Sequence, residues 1–213
     1  MILALAMTVG GCDYVFRIDY VARTDASHGG TIDSHFQDAR VVNTGPRIVF
    51  VTSRTYVAGA LDGLSGADDD CQALATATML PGAYGAWLSS TTESPQSRMS
   101  HDGGPFVLSD RTTHVAETWA ELTGGTLQHP IDRTEIGMLV IGTGCDVWTN
   151  TKPDGLVESM ISGDDCDDWS TLDQGGPQIM GSVNDSDARW TRHFLCGTTC
   201  GASASAALYC IQQ

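Results

Sequence analysis

The chain has 213 residues, of which 26 are acidic and 11 are Lys or Arg, so its formal net charge is −15. A field of that sign repels phosphate backbones, and we therefore predict no nucleic-acid partner. The hydrophobic fraction of 41% and the charged fraction of 17% are typical of a chain that buries a core, not of a disordered one. No apolar run reaches the roughly 18 residues that a membrane-spanning helix needs.

The N-terminus has the layout of a bacterial lipoprotein signal peptide. Residues 1–7 form the apolar run MILALAM, and small residues then lead to Cys12. This segment resembles a lipobox, in which the cysteine receives diacylglycerol and becomes the mature N-terminus. We therefore predict a signal peptide over residues 1–11, lipidation of Cys12 and a lipid-anchored spacer over residues 12–45. No Lys or Arg precedes the apolar run, and a short buried strand is the alternative for it.

The other six cysteines form an even set, which fits an oxidising compartment. They are Cys71, Cys145, Cys166, Cys196, Cys200 and Cys210. Six cysteines allow fifteen connectivities, so their spacing alone leaves the pairing open. The spacing between Cys196 and Cys200 also suits zinc or a redox-active pair, but no second close cysteine pair accompanies it.

The segment that follows the spacer alternates between strand and helix patterns. The β-branched run at residues 48–53 predicts a buried strand. A helix begins at a cap formed by Ser65 or Asp68 and ends near Leu80, before Pro81-Gly82. Its 3.6-residue periodicity directs Cys71 into the core. Residues 84–90 are predicted as a strand that carries Trp87, and residues 113–122 as a second, short helix.

The C-terminal third is rich in Gly, Asp, Ser and Thr, which predicts a loop-rich β region. Short strands are predicted at residues 146–149, 168–171, 188–194 and 207–211, and each carries an aromatic residue. Few apolar anchors hold such a region, so disulfide bonds are most useful there. We assign the five tryptophans to the core, with an exposed sugar-stacking platform as the alternative.

Several motifs from residue 47 to the C-terminus occur in a familiar order. They are VFVTS at 49–53, GLSGAD at 63–68, AWLS at 86–89, GGPFVLSD at 103–110, WAELTGGTL at 119–127, VWTNTKPDG at 147–155, CDDWS at 166–170 and ALYCIQQ at 207–213. This series resembles an uncharacterised family of exported bacterial domains related to the endostatin-like branch of the C-type-lectin-like fold. The resemblance implies an α+β lectin-like domain over residues 46–213, with two short helices and a mixed, loop-rich antiparallel β region.

The resemblance also implies how the cysteines pair. In lectin-like folds the helix cysteine joins the cysteine near the last strand, and an inner pair closes the long loop region. Carried over, this pairs Cys71 with Cys210 and Cys166 with Cys200. Cys145 and Cys196 then remain as an additional pair.

Candidate metal ligands lie in two acidic loops and in one pair formed by a histidine and a glutamate. Calcium binds to loops rich in Asp and Asn, and the weak candidates here are Asp164, Asp165, Asn184, Asp185 and Asp187. The Glu-Pro-Asn and Trp-Asn-Asp motifs of sugar-binding lectins are missing from the sequence, so solvated acidic loops are the alternative. His114 and Glu117 are three residues apart, which suits a metal pair or surface decoration.

These patterns favour a binding protein. No G-x-S-x-G, S-x-x-K or H-E-x-x-H motif occurs in the sequence. We expect a lipoprotein at the bacterial cell surface or outer membrane whose lectin-like domain binds an extracellular or envelope protein or glycan. The alternatives are an exported enzyme with a site in the Asp-rich C-terminal loops, and a structural component of the envelope.

Overall fold

A computed structural model of the chain describes residues 45–172, 178–193, 196, 200–201 and 204–213, without the side chain of Ser162. The predicted signal peptide, Cys12 and all of the spacer but its last residue lie outside the described residues. The predicted α+β class is confirmed, because short helices accompany one mixed sheet, two small sheets and three disulfide bonds.

The strands are β1 (Arg47–Val51), β2 (Tyr56–Val57), β3 (Tyr84–Ala86), β4 (Phe106–Leu108), β5 (His114–Ala116), β6 (Val147–Trp148), β7 (Met180–Gly181), β8 (Ser205–Ala206) and β9 (Tyr209–Gln212). The helices are α1 (Gly63–Ala77), α2 (Pro95–Arg98), α3 (Trp119–Leu122) and α4 (Cys166–Trp169). Three 3-10 turns lie at Ala58–Ala60, Ser162–Asp165 and Ala188–Trp190.

Strand β1 is the middle of a five-stranded sheet with the order β3-β9-β1-β4-β5. It runs parallel to β4 and antiparallel to β9, and all five of its residues are buried. Alternate side chains lie on opposite faces, as a central strand requires. Ile48 and Phe50 pack in the core cluster that contains α1, whereas Val49 and Val51 pack in a second cluster with Trp87.

Helix α1 lies against β3 and β9, and the predicted burial of Cys71 is confirmed. The helix begins at Gly63, earlier than predicted, and ends at Ala77, three residues before the predicted end. The early end has a local cause. The Thr78 hydroxyl donates to the carbonyl of Leu74, and Met79 adopts a left-handed backbone with φ of 57°.

The predicted helix over residues 113–122 is wrong in its first half. A hairpin forms there, since Asp110 accepts hydrogen bonds from the backbone amides of Thr112 and Thr113 and turns the chain into β5. Only α3 is helical, and its Thr118 cap accepts a hydrogen bond from the amide of Glu121. The buried residues that suggested one helical face therefore belong to two elements.

Two of the four C-terminal strand predictions are also wrong. Residues 168–171 overlap helix α4, where the backbone of Cys166–Trp169 has positive φ angles. Residues 188–190 form the 3-10 turn Ala188–Trp190, in which the Asp187 side chain caps the amide of Arg189; His193 alone forms a bridge with Met180, and Phe194 lies outside the described residues. The other two predictions overlap β6 and β9, which are shorter or shifted by a residue or two.

Three disulfide bonds connect these elements. Cys71 is bonded to Cys210 and so joins α1 to β9 in the central sheet. Cys166 at the start of α4 is bonded to Cys200, and Cys145 is bonded to Cys196. The prediction of disulfide bonds is confirmed, and the pairs are those that the resemblance implies.

Candidate ligand-binding groove

A groove of about 510 Å³ lies beyond the carboxyl end of β1. Its lining comes mainly from three chain segments that are distant in sequence, and Thr134 and Val183 complete it. Thr52, Ser53 and Thr55 follow β1, residues 138–146 form a long loop, and residues 205–207 carry β8. The groove therefore combines a hydroxyl-rich side with the side chains of the long loop.

Hydroxyl groups fix the side of the groove next to β1. The Thr52 hydroxyl donates to the carbonyl of Arg54 and accepts from the amide of Leu208, which connects this turn to the residue before β9. The buried carboxylate of Glu135 accepts from both the amide and the hydroxyl of Ser53. This charge-assisted contact places a negative charge under the rim of the groove.

A hairpin beside the carboxyl end of β1 presents apolar side chains, and its Thr134 forms a bridge with Val51 of β1. The amide of Thr134 donates to Met138, and the amide of Gly137 donates back to Thr134, both over 2.9 Å. Gly137 has φ of 78°, a conformation that favours glycine at this turn. The turn leaves the large apolar residues Ile136, Met138, Leu139 and Ile141 exposed. We call these four residues the apolar rim.

The loop after the apolar rim is held by two side chains. Asp146 accepts hydrogen bonds from the amides of Thr143, Gly144 and Val183. The Asn184 side chain forms two hydrogen bonds with the backbone of Gly142. Its amide oxygen accepts from the Gly142 amide, and its nitrogen donates to the Gly142 carbonyl. The groove therefore has an ordered wall although this wall contains little regular secondary structure.

Cys145 lines the groove and connects it to a histidine. Its disulfide partner Cys196 has a sulfur 3.7 Å from Nδ1 of His193. Within the described part of the chain, one potential ligand atom from each of Cys145, His193 and Cys196 lies within 4.8 Å of the others. In the disulfide form both sulfurs are already bonded, so they are poor metal ligands.

The calcium candidates fall into two separate places. Asp164 accepts from the Ser159 hydroxyl, and Asp165 accepts from the amide of Asp168. Burial raises the pKa of Asp165 to about 6; the charge of Asp168 adds to this effect, while the hydrogen bond from its amide opposes it.

The other three calcium candidates surround the 3-10 turn Ala188–Trp190. Asn184 is committed to the groove loop, as described above. Asp185 and Asp187 both form ion pairs with Arg189, at 2.8 and 3.0 Å. The guanidinium of Arg189 and its backbone amide lower the pKa of Asp187. These contacts already engage most of the side-chain oxygens that calcium would need. Calcium binding here stays a prediction.

All five tryptophans pack in the interior, which confirms their assignment to the core. Trp87, Trp148, Trp169 and Trp190 are fully buried and Trp119 is nearly so. Their indole nitrogens largely find internal partners, such as the Thr191 hydroxyl for Trp87 and the Ser89 carbonyl for Trp169. They therefore offer no flat surface on which a sugar ring could stack.

His114 and Glu117 do come together, but not on a helix. Nδ1 of His114 is 2.7 Å from Oε1 of Glu117, and both side chains are about half exposed. Gln128 also donates to Glu117. The hydrogen bond from His114 and, less strongly, that from Gln128 lower the pKa of Glu117. This cluster has the form of a surface ion pair.

The groove was not predicted from the sequence. A signal was present, because MLVI at residues 138–141 is an apolar run between Gly137 and Gly142 and has no helical or strand periodicity. A run of that kind next to a Gly-rich, cysteine-containing loop suggests exposed apolar residues. Nothing in it indicates that residues after β1 and residues 205–207 meet there.

Neither the comparison with family profiles nor the comparison with curated protein sequences found a match for this chain. None of the helices in the described residues is long and apolar enough to cross a bilayer.

Proposed function

We propose that this chain is an exported lipoprotein of the bacterial cell surface whose lectin-like domain binds a ligand in the groove. The observation that carries the proposal is the apolar rim. Its four large apolar residues are exposed on a hairpin that hydrogen bonds hold in place. An ordered, exposed apolar patch beside a groove is typical of a binding surface, since burial by a partner recovers the free energy lost by exposure.

The ligand that best fits the groove is an extended polypeptide with apolar and basic side chains. Among the described residues that line the groove there is no aromatic side chain, which makes a glycan the less favoured ligand. The net charge of −15, together with the Glu135 and Asp146 carboxylates close to the groove, favours a basic partner. The apolar rim then contacts aliphatic side chains, and the hydroxyl side contacts backbone amides.

A binding role also agrees with the side chains around Ser53. Its hydroxyl is hydrogen bonded to Glu135, but the described lining of the groove includes no histidine that could act as a general base. The exported enzyme and the structural envelope component stay alternative hypotheses.

Two matched double variants test the groove. Met138→Ser with Ile141→Ser removes apolar side chains that are 62% and 82% exposed in the groove. Met160→Ser with Ile161→Ser removes the same residue types, 77% and 66% exposed, outside the groove lining. Both variants change exposed positions, so neither should lose much stability. Binding is measured on an array of synthetic peptides with apolar and basic residues, and on a glycan array with and without EDTA.

We expect peptides to bind, and the groove variant to lose affinity by about tenfold or more, because each apolar side chain contributes roughly 1.5–3 kcal/mol on full burial. The matched variant should bind as the wild type does. Equal binding by both variants, or binding of glycans alone, would contradict the proposal.

The lectin-like fold is supported by the pairing of Cys71 with Cys210 and of Cys166 with Cys200. Both pairs agree with the arrangement that the resemblance implies. The central strand β1 beside the last strand β9, with α1 bridged to β9, is also consistent with such a domain. Three disulfide bonds suit an exported protein.

The lipid anchor is a separate part of the proposal and has its own test. Labelled palmitate should be incorporated when the wild-type protein is made in a bacterial host, but not into the Cys12→Ser variant. The groove variants above provide the control, since they keep Cys12 and should be labelled normally. Label in Cys12→Ser would remove the anchor from the proposed function.

A further inference from the structure

The disulfide bond at the edge of the groove differs from the other two in its accessibility. Cys71, Cys210, Cys166 and Cys200 are at most 1% exposed. Cys196 is 4% exposed, but Cys145 is only partly buried and lines the groove. A reductant in solution therefore reaches the Cys145–Cys196 bond without unfolding the core, whereas the other two bonds are shielded by packing.

His193 is already placed as a third ligand beside this bond. Zinc binds thiolates at about 2.3 Å and imidazole nitrogen at about 2.0–2.1 Å, so a tetrahedral site separates sulfur from nitrogen by about 3.6 Å. The observed distance from Cys196 Sγ to His193 Nδ1 is 3.7 Å. The backbone of His193 is fixed by a 2.7 Å hydrogen bond from its amide to the carbonyl of Met180.

We propose that Cys145, His193 and Cys196 form a zinc site when the disulfide bond between the two cysteines is reduced. With a phosphine as the reductant, the phosphorus takes the oxygen atom of one water molecule and is oxidised to the phosphine oxide. The sulfur–sulfur bond breaks, and each sulfur takes one of the two hydrogens of that water, so both cysteines become thiols. Zinc then displaces one proton from each thiol and accepts the two thiolates and the neutral imidazole. The two sulfurs must separate to about 3.8 Å, a distance that rotation of the cysteine side chains provides.

The site would keep one coordination position open towards the groove. Cys145 lines the groove, and the neighbouring Asp146 is committed to three backbone amides, so the described residues add no fourth ligand and water would take that position. Three protein ligands with an exchangeable fourth are typical of zinc sites that bind or activate a ligand. The inference goes beyond the proposed function and does not depend on what binds to the apolar rim.

The test uses the full chain under native conditions. The protein is treated with a phosphine, the phosphine is removed, and thiols are identified by alkylation and mass spectrometry. Zinc binding is then measured by calorimetry in the oxidised protein, the reduced protein and the reduced His193→Gln variant. His114→Gln is the matched control, because it removes a histidine on β5 whose side chain pairs with Glu117 instead.

We expect alkylation of Cys145 and Cys196 before the other four disulfide-bonded cysteines, and one zinc per reduced chain with none in the oxidised chain. His193→Gln should weaken zinc binding by at least about tenfold, because one of three protein ligands is lost, while His114→Gln should not. Bound zinc should also protect Cys145 and Cys196 from alkylation. The proposal is overturned by equal zinc affinity in His193→Gln and wild type, by absence of zinc from the reduced protein, or by earlier reduction of a buried pair.

Discussion

At the scale of single residues, the buried carboxyl group of Asp165 makes stability depend on pH. Burial, together with the charge of Asp168, raises its pKa from 3.8 to about 6. The folded chain therefore holds the proton more tightly than the unfolded chain, in which the group titrates near its ordinary value. Protonation stabilises the fold fully below about pH 4, and this stabilisation is lost as the pH rises through about 6.

Asp165→Asn should remove this dependence, because the amide has nearly the same shape and still offers an oxygen to the Asp168 amide. We expect the free energy of unfolding near pH 7 to rise by about 1–2 kcal/mol, with the difference from wild type disappearing near pH 4. Asp164→Asn is the control, because it neutralises the adjacent carboxylate, which is partly exposed and accepts from the Ser159 hydroxyl. Urea unfolding across this pH range measures both variants. A difference from wild type that is the same at pH 4 and pH 7 would contradict this account.

At the scale of elements, the sequence predicted what repeats locally and missed what depends on particular side-chain contacts. The periodicity of Cys71, Leu74 and Ala75 was enough to predict α1 and its buried face. The same reasoning joined β5 and α3 into one helix, because their buried residues also fall at helical spacing. The turn at Asp110 and the cap at Thr118 favour a strand followed by a short helix over one continuous helix. Hydrophobic periodicity contains no information about such turns and caps.

The groove loop shows the same limit more clearly. Asp146 holds Thr143 and Gly144 within its own segment, a short-range contact that an Asx-type pattern could suggest. It also accepts from the amide of Val183, which is 37 residues away. A side chain at Gly142 would overlap with the Asp146 carboxylate, so this glycine is required by a close approach that only the folded loop creates. The groove therefore could not be assembled from local signals.

At the scale of the whole molecule, disulfide bonds connect elements that pack through small residues. Helix α1 faces the sheet with Ala67, Cys71, Leu74 and Ala75, of which only Leu74 is large. The Cys71–Cys210 bond closes a separation of 139 residues, and the Cys166–Cys200 bond one of 34 residues. In the chain-entropy account, a longer closed loop restricts the unfolded chain more, so the first bond should contribute the larger share of stability.

Two double variants test this difference. Cys71→Ala with Cys210→Ala should lower the free energy of unfolding by about 2–5 kcal/mol, the range for native disulfides in small secreted domains. Cys166→Ala with Cys200→Ala is the matched variant, because it also removes two fully buried sulfurs and leaves cavities of the same kind. The ratio of loop lengths predicts that the free energy of unfolding falls by about 1 kcal/mol more in the first variant than in the second.

Urea unfolding of the full chain, followed by fluorescence of the buried tryptophans, separates the effect of the cross-link from that of the cavity. Loss of a cross-link expands the unfolded chain, so the slope of the free energy against urea should become steeper, and more so for Cys71→Ala with Cys210→Ala. A cavity alone lowers the midpoint without changing that slope. If this variant unfolds at the wild-type midpoint, the bond does not stabilise the domain. The Cys71–Cys210 bond between α1 and β9 would then no longer support the lectin-like fold that we propose.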